Sequence, residues 1–505
     1  MCMYRIMVDD CNYASYSIID ANKIKQPDII INPTEMKLFN NDIFNLNGDI
    51  SYSPTRLNKY IAGVLILNKT YGKFGTRFLY LCKPDDNKLP HFLIPHFIHT
   101  TFDKLYKDLY ITFEFKHWND KFPIGTITQN IGVVDDTYNF YEYMLYCKTL
   151  HVSIHAFTKD VLTETKKATN IIETIIEKYN IPFRDTNAFT IDSENSIDLD
   201  DAISISGNTI SVYIANVPII LEHLNLWNSF TNRISNIYLP DKKRSMLPPI
   251  LAQLCSLNKG EKRICFVMDV NMVTNETHLS VCYVIIKNNY SYNDEVLNSN
   301  TDYVKITEYY NFKYKSSTDI ISQLMIAINT KCAEYMKIYK NGIYKILKND
   351  NEITNNVSYE LYNDTCNYIH ISSPIRRIVD ILNMYQISIN ENLFQFGDNA
   401  ALFYNKWIGQ IEYINTCARN IRKVQSNCKI LSICQNHSLY KGKVFDKCIT
   451  NDHKYKYQVF LTELKVYSKI MSDIELVDTE EYTFKLFMFH DESRLKKKIR
   501  IELMN

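Results

Sequence analysis

The alternation of apolar and polar positions is most regular between residues 188 and 215. Ala188-Phe189-Thr190-Ile191 is β-prone and feeds Asp192, Ala202-Ile203-Ser204-Ile205-Ser206 alternates, Gly207-Asn208 reads as a turn, and Ile210 to Ala215 alternates again. This predicts two strands joined by a loop, with Asp192 ending the first and Asp201 starting the second, and then a tight hairpin into a third. Short β runs between turns also fill residues 56–140 (Ile61 to Leu67, Phe78 to Leu81, Tyr110 to Phe115) and residues 436–505 (Tyr440 to Val444, Tyr457 to Leu461, Tyr482 to Met488), a spacing typical of small barrels. Residues 141–182 read as helical. Val161 to Tyr179 is predicted as one amphipathic packing helix, with Ile171, Ile172, Ile175 and Ile176 on one face. Between 183 and 425 the first half is mostly β and the second mostly α. There, Ser373 and Pro374 have the character of an N-cap and a first helical residue, followed by the apolar face Ile375, Ile378, Val379 and Leu382. The expected fold class is α+β.

Composition changes this picture little. A chain of 505 residues has room for three or four domains, and 46% hydrophobic residues can build large cores. The net charge of +1 is low for a nucleic-acid enzyme, although the sum hides basic runs at Lys242-Lys243-Arg244, Arg376-Arg377, Arg419 to Lys423 and Arg494 to Arg500. Any one of these is as readily a solvated face. The 13 cysteines form no CxxC pair, which argues for reduced thiols and against a zinc site. The N-terminus lacks the apolar core of a signal peptide, and no run approaches the roughly 18 apolar residues of a membrane span. A soluble intracellular protein, cytoplasmic or nuclear and without a membrane partner, is expected. Nothing in the sequence specifies a protein partner.

The candidate chemistry lies in the loop after the first strand. Asp192, Asp198, Asp200 and Asp201 fall within the stretch TIDSENSIDLDDA, residues 190–202. Two ionised carboxylates about 4 Å apart repel by roughly 4 kcal/mol at an effective dielectric near 20. A folded chain keeps such a group ionised only around a cation, and hard divalent ions with oxygen ligands are the usual answer. A solvated acidic loop is the alternative. Ile197 and Leu199 between the acids, and the apolar strands around them, favour a tucked-in loop. An EF-hand loop is excluded, because counting from Asp192 its required glycine and glutamate positions hold Ile197 and Ile203.

These residues resemble the acidic signature of the ribonuclease II/R family, whose catalytic unit is the RNB domain. Two further blocks agree in order: IYLPDKKRSMLPPILAQLCSLN from Ile237 is similar to YLPD…MLP…LCSLN, and YIHISSPIRRIVD from Tyr368 is similar to YxHFTSPIRRYxD. The phrases YGKFGTRFLYLCKPDDNKLPHFLIP and FKHWNDKFPIGTI resemble the second cold-shock-type domain of eukaryotic exosome-type members. The resemblance implies an RNB catalytic domain flanked by OB-fold barrels: a partial first cold-shock-like segment at 1–55, a cold-shock-type barrel at 56–140, the RNB domain at 141–430, and a diverged OB-type RNA-binding barrel at 436–505. It further implies a processive 3′→5′ exoribonuclease that hydrolyses single-stranded RNA with a free 3′ end to nucleoside 5′-monophosphates. By the same resemblance Asp192, Asp198 and Asp201 ligate magnesium or manganese, and Asp200 lies nearest the leaving nucleotide or a second ion. Arg376 stands beside the scissile phosphate, so Asp200 and Arg376 are the catalytic pair. Tyr238 and Arg376 contact RNA, with Arg377 assigned there too unless it pairs with Asp380 three residues on. Tyr238, in a β-prone segment, is alternatively a core residue.

The chain also departs from the family pattern. Asn216 stands where an acid is usual, Met384 where a histidine usually follows the arginine helix, and only 23 residues separate Tyr344 from Tyr368, a short middle segment. These departures motivate a second reading, a catalytically inactive RNB-fold RNA-binding scaffold.

Overall fold

The structure is a computed structural model that describes residues 3–97, 106–167, 170–310, 316–347, 357–433, 439–450, 452, 454–478, 480–491 and 496–504. The chain divides into two compact units. One comprises residues 1–151, 239–241 and 423–505, and the other residues 152–238 and 242–422.

In the first unit, strands Ile61–Phe74, Arg77–Pro84, Phe92–His96, Leu109–His117 and Ile124–Val133 close into a barrel, the only parallel step being Phe92–His96 beside Ile124–Val133. Its interior holds Leu65, Phe92, Ile94, Ile111 and Phe113. The packing requires a glycine at 125. A Cβ there would sit 2.8 Å from the side chains of Ile94 and Phe113 and 2.9 Å from the Glu114 carbonyl. Ahead of the barrel, residues expected to be a partial segment form a four-stranded sheet of Tyr16–Ile19, Tyr4–Val8, Ile43–Phe44 and Ile50–Tyr52. Its Ile6, Leu38 and Phe39 share the barrel's core cluster. After residue 438, five antiparallel strands run in the order Val466–Ser472, Tyr455–Leu461, Leu439–Ile449, Glu481–Asp491, Lys496–Leu503 around Val444, Tyr457, Val459, Phe484 and Leu486.

The second unit is built on a six-stranded sheet in the order Thr277–Ile285, Lys262–Asn271, Thr209–Ala215, Asp201–Ser206, Phe189–Asp192, Asn288–Ser291. All neighbours are antiparallel except the last pair. Helices Ser317–Ile338 and Ile378–Asn390 pack their apolar sides (Ile321, Leu324, Ile328, Met384, Ile387) against Phe189, Ile191, Ile203 and Val212 of the sheet. The short middle segment forms a hairpin of Ile343–Leu347 and Val357–Leu361, and residues 348–356 lie outside the described residues. Among the described residues no helix is long and apolar enough to cross a membrane.

Two predicted helices differ. Val161 to Tyr179 is not one helix but two, His155–Lys167 and Ile171–Tyr179, because Asn170 adopts φ +60° and breaks the right-handed run. Residues 168 and 169 lie outside the described residues. The helix expected to begin at Pro374 begins at Ile378. Residues 374–376 form a tight turn, and Arg377 is extended (φ −141°), held in a bridge to Ser235.

Candidate functional site

Antiparallel neighbours bring the end of one strand beside the start of the next. Asp192 closes Phe189–Asp192 and Asp201 opens Asp201–Ser206, so both carboxylates lie at one end of the sheet. The intervening loop is pinned from the LCSLN block. Buried Ser256 accepts the Leu199 amide at 2.9 Å and donates from its hydroxyl to the Ile197 carbonyl at 3.0 Å. The Leu257 amide donates to the Leu199 carbonyl at 3.0 Å. Arg263, nearly buried, holds Ser256 in turn by donating Nε to its carbonyl at 2.6 Å. Leu199 is buried as expected of a tucked-in loop, whereas Ile197 is turned out to solvent.

The four acids divide into three and one. Asp192 and Asp200 both act on Asp201. Burial lifts the Asp192 carboxyl to about 6 against the pull of Thr190 and Arg376. Burial lifts Asp200 to about 7, opposed by Arg376 and the Ile375 amide. Asp201 is pushed well above the carboxylate range by burial and then by its neighbours Asp192 and Asp200. Asp198 is placed differently. Its Oδ1 and Oδ2 accept from Lys243 Nζ at 2.9 and 2.8 Å, and Oδ2 also accepts from Asn236 Nδ2 at 2.9 Å.

The arginine block meets these acids through its turn. The Ile375 amide donates to Asp200 Oδ1 at 2.8 Å, and Arg376 Nε lies 3.4 Å from Asp200 Oδ2. Arg376 Nη2 also donates to Ser373 Oγ at 3.0 Å, while its side chain stays 45% exposed toward the cavity. Arg377 is assigned elsewhere. Its Nη2 donates to Asp380 Oδ1 at 2.8 Å, and the fully buried Asp380 also accepts the Ser373 amide at 2.7 Å. Asp380 lies in the first turn of its helix, where a carboxylate favours the dipole. Both arginines precede that helix, so neither lies in its first turn. Arg377 is a structural partner of Asp380 that still lines the cavity, and Arg376 is the more exposed of the two guanidiniums.

These groups line a cavity of about 700 Å³ with Tyr238, Tyr292, Met325, Tyr368 and Ser372. Tyr238 is 46% exposed in a two-residue strand paired with Lys243–Arg244, so it is a wall residue and not core. Sequence reasoning missed Asn236. Its amide donates to Asp198 and, at 3.3 Å, to the Tyr238 hydroxyl, its Oδ1 accepts the Met246 amide at 2.6 Å, and its backbone amide donates to the Arg376 carbonyl at 3.0 Å. A signal for it was present only as its place two residues before Tyr238.

By donor type alone the carboxylates suit a hard divalent cation. Their donor atoms are oxygens, and Asp192 Oδ2 is buried without a hydrogen-bond partner. Among the described residues no three His, Cys, Asp or Glu side chains stand grouped as a ready-made metal cage.

Residues 181–298 match the RNB domain family, and residues 79–146 match the Dis3-like cold-shock domain 2. The chain carries an RNB domain. It is 29% identical over 168 residues to the DIS3-like exonuclease 2 of Schizosaccharomyces pombe, covering 32% of this chain, and 33% identical over 141 residues to ribonuclease R of Mycoplasmopsis pulmonis, covering 26%. Those matches span only 18% and 19% of the two curated relatives. Among solved structures, Mycoplasma genitalium RNase R in complex with ribose-methylated single-stranded RNA aligns over 99% of this chain and 100% of its own, with a TM-score of 0.66 at 16% identity. Yeast Ssd1, described as a pseudonuclease, aligns over 96% and 81% with a TM-score of 0.55 at 12% identity. At these identities the likeness speaks for the fold: an RNB domain together with a cold-shock-like OB barrel.

Two of the departures noted in the sequence have structural roles. Asn216 is buried and caps the helix Val217–His223, its side chain accepting the Ile219 amide at 3.2 Å. Met384 is fully buried in the core under the sheet. In the barrel the aromatics separate cleanly: Tyr110, Phe92 and Phe113 are core, whereas Tyr71, Phe74 and Phe78 are exposed, with Lys73 Nζ 4.9 Å above the Phe78 ring.

Proposed function

We propose that the protein is a 3′→5′ exoribonuclease that degrades single-stranded RNA from a free 3′ end, processively, to nucleoside 5′-monophosphates. The observation that carries this reading is Asp200, a buried carboxylate held between the Ile375 amide and the Arg376 guanidinium at the wall of a cavity shared with Asp192 and Asp201. Asp192 and Asp201 would hold a divalent ion, magnesium or manganese, which would supply Lewis-acid charge and lower the pKa of water. Arg376 offsets charge growing on the phosphate's equatorial oxygens. Tyr238 offers a ring face to a terminal base, a contact worth about 1–3 kcal/mol. The exposed Tyr71, Phe74 and Phe78 with their lysines give the barrel the same stacking chemistry. A cytoplasmic or nuclear location accompanies this activity. The test is a time course on 5′-labelled single-stranded RNA with and without magnesium. Short end products should accumulate only with the metal, and the Asp200→Asn chain should leave the RNA intact. Equal rates for both proteins would refute the site.

A second reading, an RNA-binding scaffold without turnover, is favoured by the Lys243–Asp198 pair and by a fold neighbour described as a pseudonuclease. It predicts tight RNA binding with no cleavage in either magnesium or manganese.

A further inference from the structure

We propose that Lys243 is a built-in cation at Asp198, so that the site takes a single divalent ion, held through Asp192 and Asp201. This deepens the reading above, on which it rests only for the presence of a metal.

Asp198 is already satisfied by the chain. Lys243 Nζ reaches both carboxylate oxygens, at 2.9 and 2.8 Å, and Asn236 adds a third donor at 2.9 Å. A carboxylate has about four lone-pair sites, so three are engaged. The arrangement is built into the fold. Asn236 is 4% exposed and is itself fixed by the Met246 amide, the Asp198 side chain is 7% exposed, and Lys243 stems from the short strand paired with Ile237–Tyr238. A metal ion ligated by Asp198 must either take the one remaining lone-pair site beside an ammonium that already neutralises the carboxylate, or displace that ammonium, which is three-quarters covered.

The other end of the site is unlike this. Asp192 Oδ2 is buried and unpartnered, Asp201 carries the field of two neighbouring acids, and Asp200 is already bonded to the Ile375 amide and faced by Arg376. The carboxyl oxygen left open is therefore at Asp192, with Asp201 close enough to feel its charge. A lysine ammonium is a compact point charge with three donors. At Asp198 it holds positive charge in the cavity wall whether or not metal is present, beside the Tyr238 ring that shares its hairpin.

The experiment is a manganese titration of the full chain without RNA, followed by the electron paramagnetic resonance of free Mn²⁺. The unmodified protein should bind one tight equivalent, Lys243→Met should gain a second, and Lys243→Arg should stay at one. Asp198→Asn should leave the affinity of the single ion within about threefold, whereas Asp201→Asn should weaken it by about tenfold or more. Two equivalents or none on the unmodified protein would overturn the proposal, as would loss of the ion in Asp198→Asn or a single equivalent in folded Lys243→Met. Circular dichroism establishes folding of each variant, and the Asp198→Asn arm decides the matter if Lys243→Met does not fold. Because no RNA is present, the outcome is separate from turnover. A chain with one ion and no cleavage would sink the proposed activity and leave this inference standing.

Discussion

At the scale of single residues, Asn236 joins more of the site than any acid does. One side chain links Asp198, Tyr238 and the Met246 amide, and its backbone fixes the Arg376 carbonyl. Asn236→Ala removes a donor from a charged acceptor and leaves a buried amide unpaired. The expected loss of stability is about 2–3 kcal/mol, read by urea denaturation. The acids make a prediction of opposite character. Asp192 and Asp200 titrate near 6 and 7 in the folded chain, above the roughly 3.9 of an unfolded aspartate. Between those values the native state holds more protons than the unfolded one, so stability falls as pH rises from about 4 to 7. Metal-free protein should show this decline in its unfolding midpoint. In Asp200→Asn the decline should be shallower, and a pH profile identical to that of the unmodified chain would refute the account.

At the scale of elements, the sequence was most legible where the pattern is local. The strands flanking the acids and the Gly207-Asn208 turn follow from alternation alone, and Gly207 takes the φ of +58° that such a turn needs. The approach of Arg376 to the acids was not local. It came from resemblance, and the helix start inferred beside it was placed four residues early. The reason is tertiary: Arg377 is drawn into a bridge with Ser235, and the Ile378 amide donates to the Ile234 carbonyl where a continuing helix would use that of Pro374. The Lys243–Asp198 pair was equally out of reach, since 45 residues separate its partners and a basic run looks the same whether solvated or paired. In the barrel, Gly125→Ala tests closure. Its Cβ would press on Phe113, Ile94 and a carbonyl, so a loss of about 1–3 kcal/mol is expected, measured by urea denaturation.

For the whole molecule, each unit has its own buried clusters, one around Phe189 and Ile203 and others around Phe92 and Val444. Calorimetry should therefore resolve two transitions. All four acids belong to the unit of residues 152–238 and 242–422, so manganese should raise one transition and leave the other in place. Movement of both by equal amounts would argue against a single metal-binding unit.

The bond from the Ile375 amide to Asp200 joins positions 175 residues apart. During synthesis at about 5–20 residues per second, the ribosome delivers the acids roughly 9–35 s before the arginine turn that completes their surroundings. Until then Asp200 has neither the Ile375 amide nor the Arg376 guanidinium between which it is held. On the proposed function, a newborn chain that ends before Ile375 is without its catalytic pair and is inactive. Stalled translation products ending before Ile375 should leave added RNA uncut, however much metal is supplied.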